Sequence, residues 1–326
     1  MCIGRFLRRA LADKSHNCSI KLLNVSISSQ LNFLHALKPT RIFLLTLVAM
    51  IAFASNSLLC RLALQQTSID AASFTFIRIF SGATALWIIM RIRRELMVER
   101  SASSLVEGNW LSALALFAYA AAFSFAYRSL SAGTGALLLF SAVQATMISW
   151  GVRKGERLHV IQIVGLALAV SGLVVLLFPG LYAPPFSSSI LMLGAGVAWG
   201  IYSLRGKAEK NPACATAGNF LRAVPFAAMV SIILFPWARL DRAGIGYAVL
   251  SGAIASGLGY VIWYAALPHL KAASAATVQL SVPVLAAIGG ILLLGEALTL
   301  RFLFASIAVL GGIALVVIEK QLAGKV

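Results

Sequence analysis

Acidic side chains are scarce in this sequence: ten Asp and Glu stand against 27 Lys and Arg in 326 residues, and charged residues of both signs make up only 11% of the chain. Soluble domains carry roughly 25% charge. With 60% of the residues hydrophobic, the polar surface is too small to cover a soluble core of this size, whereas lipid accepts an apolar exterior once the backbone is hydrogen-bonded inside helices or a closed barrel. Cysteine is sparse too. Cys2, Cys18, Cys60 and Cys214 show no CxxC spacing, and His16, His35, His159 and His269 do not pair with them, so neither a disulfide framework nor a metal site is indicated. No Walker motif points to ATP hydrolysis, and no cofactor is implied.

The hydrophobic segments lie at 41–64, 72–90, 110–127, 134–152, 159–178, 188–204, 217–237, 244–266, 272–294 and 300–318. Each is near the roughly 20 residues that cross a bilayer as a helix. These ten segments predict an all-α integral membrane protein whose short linkers make consecutive helices antiparallel. Residues 1–40 form a basic tail with Arg5, Arg8, Arg9, Lys14, Lys21 and Lys38 opposed only by Asp13. The tail lacks a clean apolar core with a cleavage site, so a cytoplasmic extension is expected rather than a secretory signal peptide. With the N-terminus placed in the cytoplasm, only Arg61, Arg128, Arg239, Arg242 and Arg301 fall on the far side. Arg78 and Arg222 lie within helices, and every other Lys and Arg is cytoplasmic. Both termini, including a short tail at 321–326, are therefore expected in the cytoplasm. The net charge of +17 is thus a topology signal, and no nucleic-acid partner is expected.

Residues 131–158 align without a gap on 271–298 with seven identities, ending in Gly155-Glu156-Arg157-Leu158 against Gly295-Glu296-Ala297-Leu298 and followed by Gly172 against Gly312. The chain reads as two five-helix repeats, 41–180 and 181–320. An odd number of helices per half inverts the second relative to the first. Charge agrees: Arg153, Lys154 and Arg157 correspond to Leu293, Leu294 and Ala297, while Arg205, Lys207 and Lys210 have uncharged counterparts near Gln65–Ile69. Inverted repeats recur in secondary transporters.

Candidate site residues follow from polarity within the membrane. Arg78 and Arg222 stand in the matched contexts Phe76-Ile77-Arg78 and Phe220-Leu221-Arg222. Such charges snorkel, pair or face a cavity, and a role in attracting an anionic or zwitterionic substrate stays open beside a structural one. Asn56, Ser141, Gln144, Tyr202, Tyr260, Trp263, Tyr264, Gln279 and Ser281 are the other candidates, as cavity lining or as interhelical hydrogen bonds. Pro283 is expected to interrupt helix nine and free a carbonyl; its counterpart Val143 is not. Gly155 and Gly295 are expected to end helices in the left-handed conformation, with Glu156 and Glu296 in the first turn of the next helix, favoured by its dipole. The ten acidic residues all fall in tails, loops or helix ends. A buried carboxylate for proton coupling is therefore not seen, and exchange and facilitated diffusion are both open.

With the five-plus-five repeat and its two Gly-Glu-x-Leu endings, residues 41–318 resemble the EamA-type branch of the drug/metabolite transporter superfamily. The best stretch is Ala272–Leu298, with Pro283 and Gly295-Glu296 in place; Val143 departs from the pattern. The resemblance implies a transporter with a central cavity between the halves, often an exporter of amino acids or related metabolites. It fits a bacterial inner membrane, and a nucleotide-sugar or sugar-phosphate carrier shares the architecture. Lipid and a small-molecule substrate are the implied partners, and a homodimer is compatible. A membrane sensor or assembly factor is the alternative outside transport. An enzyme acting on lipid would need clustered ligands at one depth, which the sequence does not offer.

Overall fold

A computed structural model describes residues 39–96, 107–180, 183–206, 209, 211–270 and 278–323. Nearly all of the basic tail, Lys207, Lys210, residues 271–277 and 324–326 lie outside these. The chain divides into two units, Met1–Leu44 and Leu45–Val326. The described part of the first is the opening of one helix; the remainder of that helix and all the others belong to the second.

All regular structure among the described residues is helical. The helices are α1 Pro39–Gln66, α2 Ala71–Leu96, α3 Trp110–Ala126, α4 Ala132–Arg153, α5 Val160–Leu177, α6 Phe186–Gly206, α7 Pro212–Ile233, α8 Arg242–His269, α9 Ser281–Leu294 and α10 Leu300–Ala323. Eight are long and apolar enough to cross a membrane, and α3 and α9 are shorter apolar helices. Large apolar side chains such as Val160, Ile232 and Leu292 are more than 70% exposed, which water would penalise and lipid does not.

Local chemistry sets the helix ends. Asn109 and Ser131 cap α3 and α4 by accepting from the N–H of Ser112 and Thr134. Helix α7 begins at Pro212, five residues ahead of the sequence expectation. Asn211 accepts there from the N–H of Cys214, and Pro212 occupies the first helical position, where its missing N–H costs nothing. Gly155 and Gly295 take φ of +93° and +65°. The residues after them correct a second expectation: α5 and α10 start at Val160 and Leu300, so Glu156 and Glu296 precede those helices rather than filling their first turns.

Two helices are irregular. Helix α8 widens into a π-helical stretch at Leu250–Leu258, a rare geometry frequent at functional sites. Pro283 sits in the first turn of α9, behind a turn at Leu280 that separates it from helical Val278 and Gln279. Proline at 283 has no N–H for the carbonyl four residues back, that of Gln279. One residue earlier, the hydroxyl of Ser281 donates to the carbonyl of Val278 at 2.6 Å.

Small residues let the helices approach. A Cβ added to Gly165 in α5 would lie 2.6 Å from the carbonyl oxygen of Gly312 in α10, and one added to Gly252 in α8 would meet the carbonyl of Arg78 in α2. Helix α5 packs on α10, α2 on α7 and α8, α4 on α6 and α9, and α3 on α6 and α7. Helix α1 meets α8 through Phe53 against Tyr260 and α9 through Leu58 against Gly289.

The α1–α2 and α7–α8 connections are knitted together. The N–H of Asp70 donates to the carbonyl of Arg239, the N–H of Arg239 returns to the Asp70 carboxylate, and Asp241 accepts from the N–H of Ser68. Burial alone would raise the Asp70 pKa, but hydrogen bonds from Ser73, Arg239 and Ala72 outweigh it and hold the carboxyl below its ordinary 3.8. The N–H groups of Gly244 and Ser68 lower Asp241. A carboxyl depressed in the folded state adds stability that is fully present above its ordinary pKa and is lost as pH falls through the folded value. Asp70→Ala should therefore cost about 1 kcal/mol near neutrality, as for other helix caps. The difference from the parent protein should narrow in melts as pH falls below the ordinary 3.8 and through the lower folded value; a gap that stays constant over that fall would assign the loss to packing.

Candidate substrate cavity and its sealed end

The helices enclose a cavity of about 420 Å³. Its inner part lies where the helices pass their midpoints, between Asn56 and Ser57 of α1, Tyr119 and Phe123 of α3, and Ser256 in the π-helical part of α8. From there it runs past Gln144 and Met147 of α4 to Gly206, Pro212 and Leu270, which flank the α6–α7 and α8–α9 connections. Among the described residues, no Asp, Glu, Lys, Arg or His lines it. Aromatic rings supply much of the wall: Trp199 of α6 stacks on Tyr260 of α8 with centroids 5.3 Å apart and meets Tyr119 at 4.8 Å, and Phe53 lies 6.0 Å from Trp263. Rings of this kind offer π-faces to ligand cations and apolar groups.

The opposite end is closed by one side-chain cluster. Arg61, near the end of α1, pairs through Nε with Glu296 at 3.2 Å, and the two side chains are 11% and 13% exposed. Its Nη1 donates to the carbonyls of Tyr127 and Arg128 in the α3–α4 turn. Both carboxylate oxygens of Glu296 accept from the N–H of Ala132, at 2.8 and 3.1 Å. Glu296 thus does complement a helix dipole, but that of α4 rather than α10. The hydroxyls of Ser129 and Ser188 bond across the same end, tying the α3–α4 turn to the start of α6.

Of the sequence candidates, Asn56, Gln144, Tyr260, Trp263, Tyr264 and Gln279 line the cavity. Ser141 and Ser281 do not: the Ser141 hydroxyl turns back onto the carbonyl of Leu137 in its own helix, and that of Ser281 onto the carbonyl of Val278, just ahead of α9. Tyr202 lies behind Trp199, its hydroxyl 3.4 Å from Thr216, and Pro283 is buried within α9. The matched arginines part ways. Arg222 donates to the carbonyls of Glu107 and Gly218 and holds the loop ahead of α3. Arg78 is 2% exposed and sits behind the wall, its guanidinium carbon 5.3 and 4.9 Å from the ring centroids of Tyr119 and Phe123. The rings of Phe53, Tyr119, Phe123 and Trp199 were not among the sequence candidates, because in an apolar helix an aromatic residue reads as packing.

A helical membrane scaffold around an internal cavity whose described lining carries no charge, with an ion pair beyond one end, defines a membrane transporter. The model of the EamA-like transporter family matches this chain twice, over residues 40–178 and 186–318. The chain belongs to that family and is a transporter, not an enzyme. An uncharacterized protein of Pseudomonas aeruginosa is 54% identical over 280 residues, covering 86% of this chain and 96% of its own. The threonine/homoserine exporter RhtA of Salmonella typhimurium is 34% identical over 120 residues, 35% of this chain and 39% of the exporter. A solved structure at 17% identity shares the fold, with a TM-score of 0.59 over 86% of this chain and 99% of its own.

Proposed function

We propose that this protein is a secondary transporter that exports small polar metabolites, amino acids foremost, by alternating access of its cavity to the two membrane faces. The observation that carries the reading is the polarity of the cavity: it reaches the α6–α7 and α8–α9 connections and stops short of the Arg61–Glu296 cluster. With the basic connections in the cytoplasm, this is an inward-facing state in a bacterial inner membrane, with both termini cytoplasmic. A wall rich in aromatic rings and amide or hydroxyl groups, without a formal charge among the described residues, suits a small zwitterion. It suits a sugar phosphate less, since a phosphate dianion calls for several cations. The partial likeness to threonine/homoserine exporters makes those amino acids the first to try.

Ten helices in two inverted repeats are the frame for this motion. Exchanging helix n with helix n+5 maps the contacts of α5 with α10, α2 with α7 and α4 with α9 onto themselves. It also exchanges α2–α8 with α3–α7, and α4–α6 with α1–α9, the last seen at Leu58 against Gly289. The double match of one family model, a copy in each half, supports the same division.

Counterflow in proteoliposomes tests the function. Vesicles preloaded with unlabelled threonine, homoserine or a wider amino-acid panel should accumulate the matching labelled compound with saturable kinetics. Folded, inserted protein that exchanges none of them, nor a sugar phosphate, would sink the reading.

A further inference from the structure

The inner end of the cavity contains a polar chain whose directions are fixed by chemistry. Ser251 donates to Oδ1 of Asn56 at 2.6 Å, so the amide nitrogen of Asn56 faces Tyr119 and donates to its hydroxyl at 3.1 Å. Nη2 of Arg78 donates to that hydroxyl as well, at 3.0 Å. Guanidinium and amide nitrogens cannot accept, so both lone pairs of the Tyr119 oxygen are occupied and its proton is left to donate. Among the described residues it has no acceptor. The other terminal nitrogen of Arg78, Nη1, is buried with no hydrogen-bond partner, and among the described residues no carboxylate pairs with this arginine. A buried cation without a counter-ion is costly, and a hydroxyl that accepts from a cation becomes a stronger donor.

We propose that Asn56, Tyr119 and Arg78 form a carboxylate subsite at the inner end of the cavity. The Tyr119 hydroxyl donates to a carboxylate oxygen of the substrate, Asn56 holds the phenol in register, and Arg78, a positioning residue behind the ring, supplies the compensating charge. The opposite pole of a zwitterion, its ammonium, then lies among the π-faces of Trp199 and Tyr260, since the described wall holds no carboxylate to receive it. The subsite rests on the transport reading for its purpose but not for its test.

The test compares matched pairs in purified full-length protein: L-threonine against L-threoninamide and L-phenylalanine against L-phenylalaninamide, followed by the change in tryptophan fluorescence, to which Trp199 and Trp263 in the cavity wall contribute. The acid of at least one pair should bind about 10-fold or more tightly than its amide, the worth of a hydrogen bond to a charged group. Tyr119→Phe, which keeps the ring and its packing, should bring the two affinities together by weakening the acid alone. Arg78→Lys should retain part of the preference and Arg78→Gln none. Equal binding of acid and amide, no binding of any acid, or an unchanged preference in Tyr119→Phe would overturn the subsite. Counterflow is read separately on the same protein: binding that obeys these rules without flux would reject transport and leave the subsite standing.

Discussion

Glu296→Ala should unseal the closed end of the cavity. The substitution leaves the Arg61 guanidinium without its carboxylate and the N–H of Ala132 without its acceptor, both in a place where each side chain of the pair is about nine-tenths buried. Breaking a buried ion pair from one side costs about 3–5 kcal/mol. If that energy opposes opening at this end, the opening equilibrium moves by a factor on the order of 100 or more. A cysteine introduced by Ser57→Cys, in a background without the four native cysteines, reports the change. An impermeant maleimide applied from the Arg61 side should label it slowly in the parent and rapidly in Glu296→Ala. Glu296→Gln, which keeps an acceptor for Ala132 but not the charge, should fall between them. Unchanged labelling with unchanged thermal stability would show that the cluster does not hold this end shut.

Gly312→Leu should have the largest effect on folding. Helices α5 and α10 cross with each glycine against the other's backbone: a Cβ on Gly312 would meet the carbonyl oxygen of Gly165 and the backbone nitrogen of Ala169. Carbonyls in a helix cannot swing aside as a side chain can, so the helices must separate. In lipid their association depends on close van der Waals contact between small residues. The cost should reach or exceed the roughly 1–3 kcal/mol of ordinary overpacking, seen as a lower melting temperature and loss of the monodisperse peak in detergent. Gly311→Leu is the control, because nothing lies within 4 Å of a Cβ there. Equal damage from both would point to helix propensity or lipid contact rather than to the crossing.

The helices were legible because hydrophobic length is a one-dimensional property, and their boundaries were missed where a cap outside the apolar run decided them. Asn211 and Pro212 show this: they extend α7 back through residues that the hydrophobic count excluded. Gly172 and Gly312 stood out as a repeated pair, yet their physical reason, a shared position at the α5–α10 crossing, needs the partner helix. Side-chain roles were less legible still. Arg78 and Arg222 occupy matched sequence contexts, and one lies behind the cavity wall while the other holds a loop carbonyl, a divergence decided by residues more than 40 positions away in each case. Glu296 was legible as part of a turn; its ion pair with Arg61, 235 positions away, was not. Hydrophobic patterning cannot distinguish the rings that face a cavity from those that fill a core.

Helix α4 begins with an amide held by a side chain. The hydrogen of the Ala132 N–H is protected by the carboxylate of Glu296, a residue from the other half of the chain, and not by a carbonyl of its own helix. Amides in helix interiors exchange with deuterated solvent when the helix frays or unfolds, but this one loses its protection whenever Glu296 withdraws, with every helix intact. Its deuterium uptake therefore counts separations of Glu296 from α4 in the unmodified protein, with no label attached.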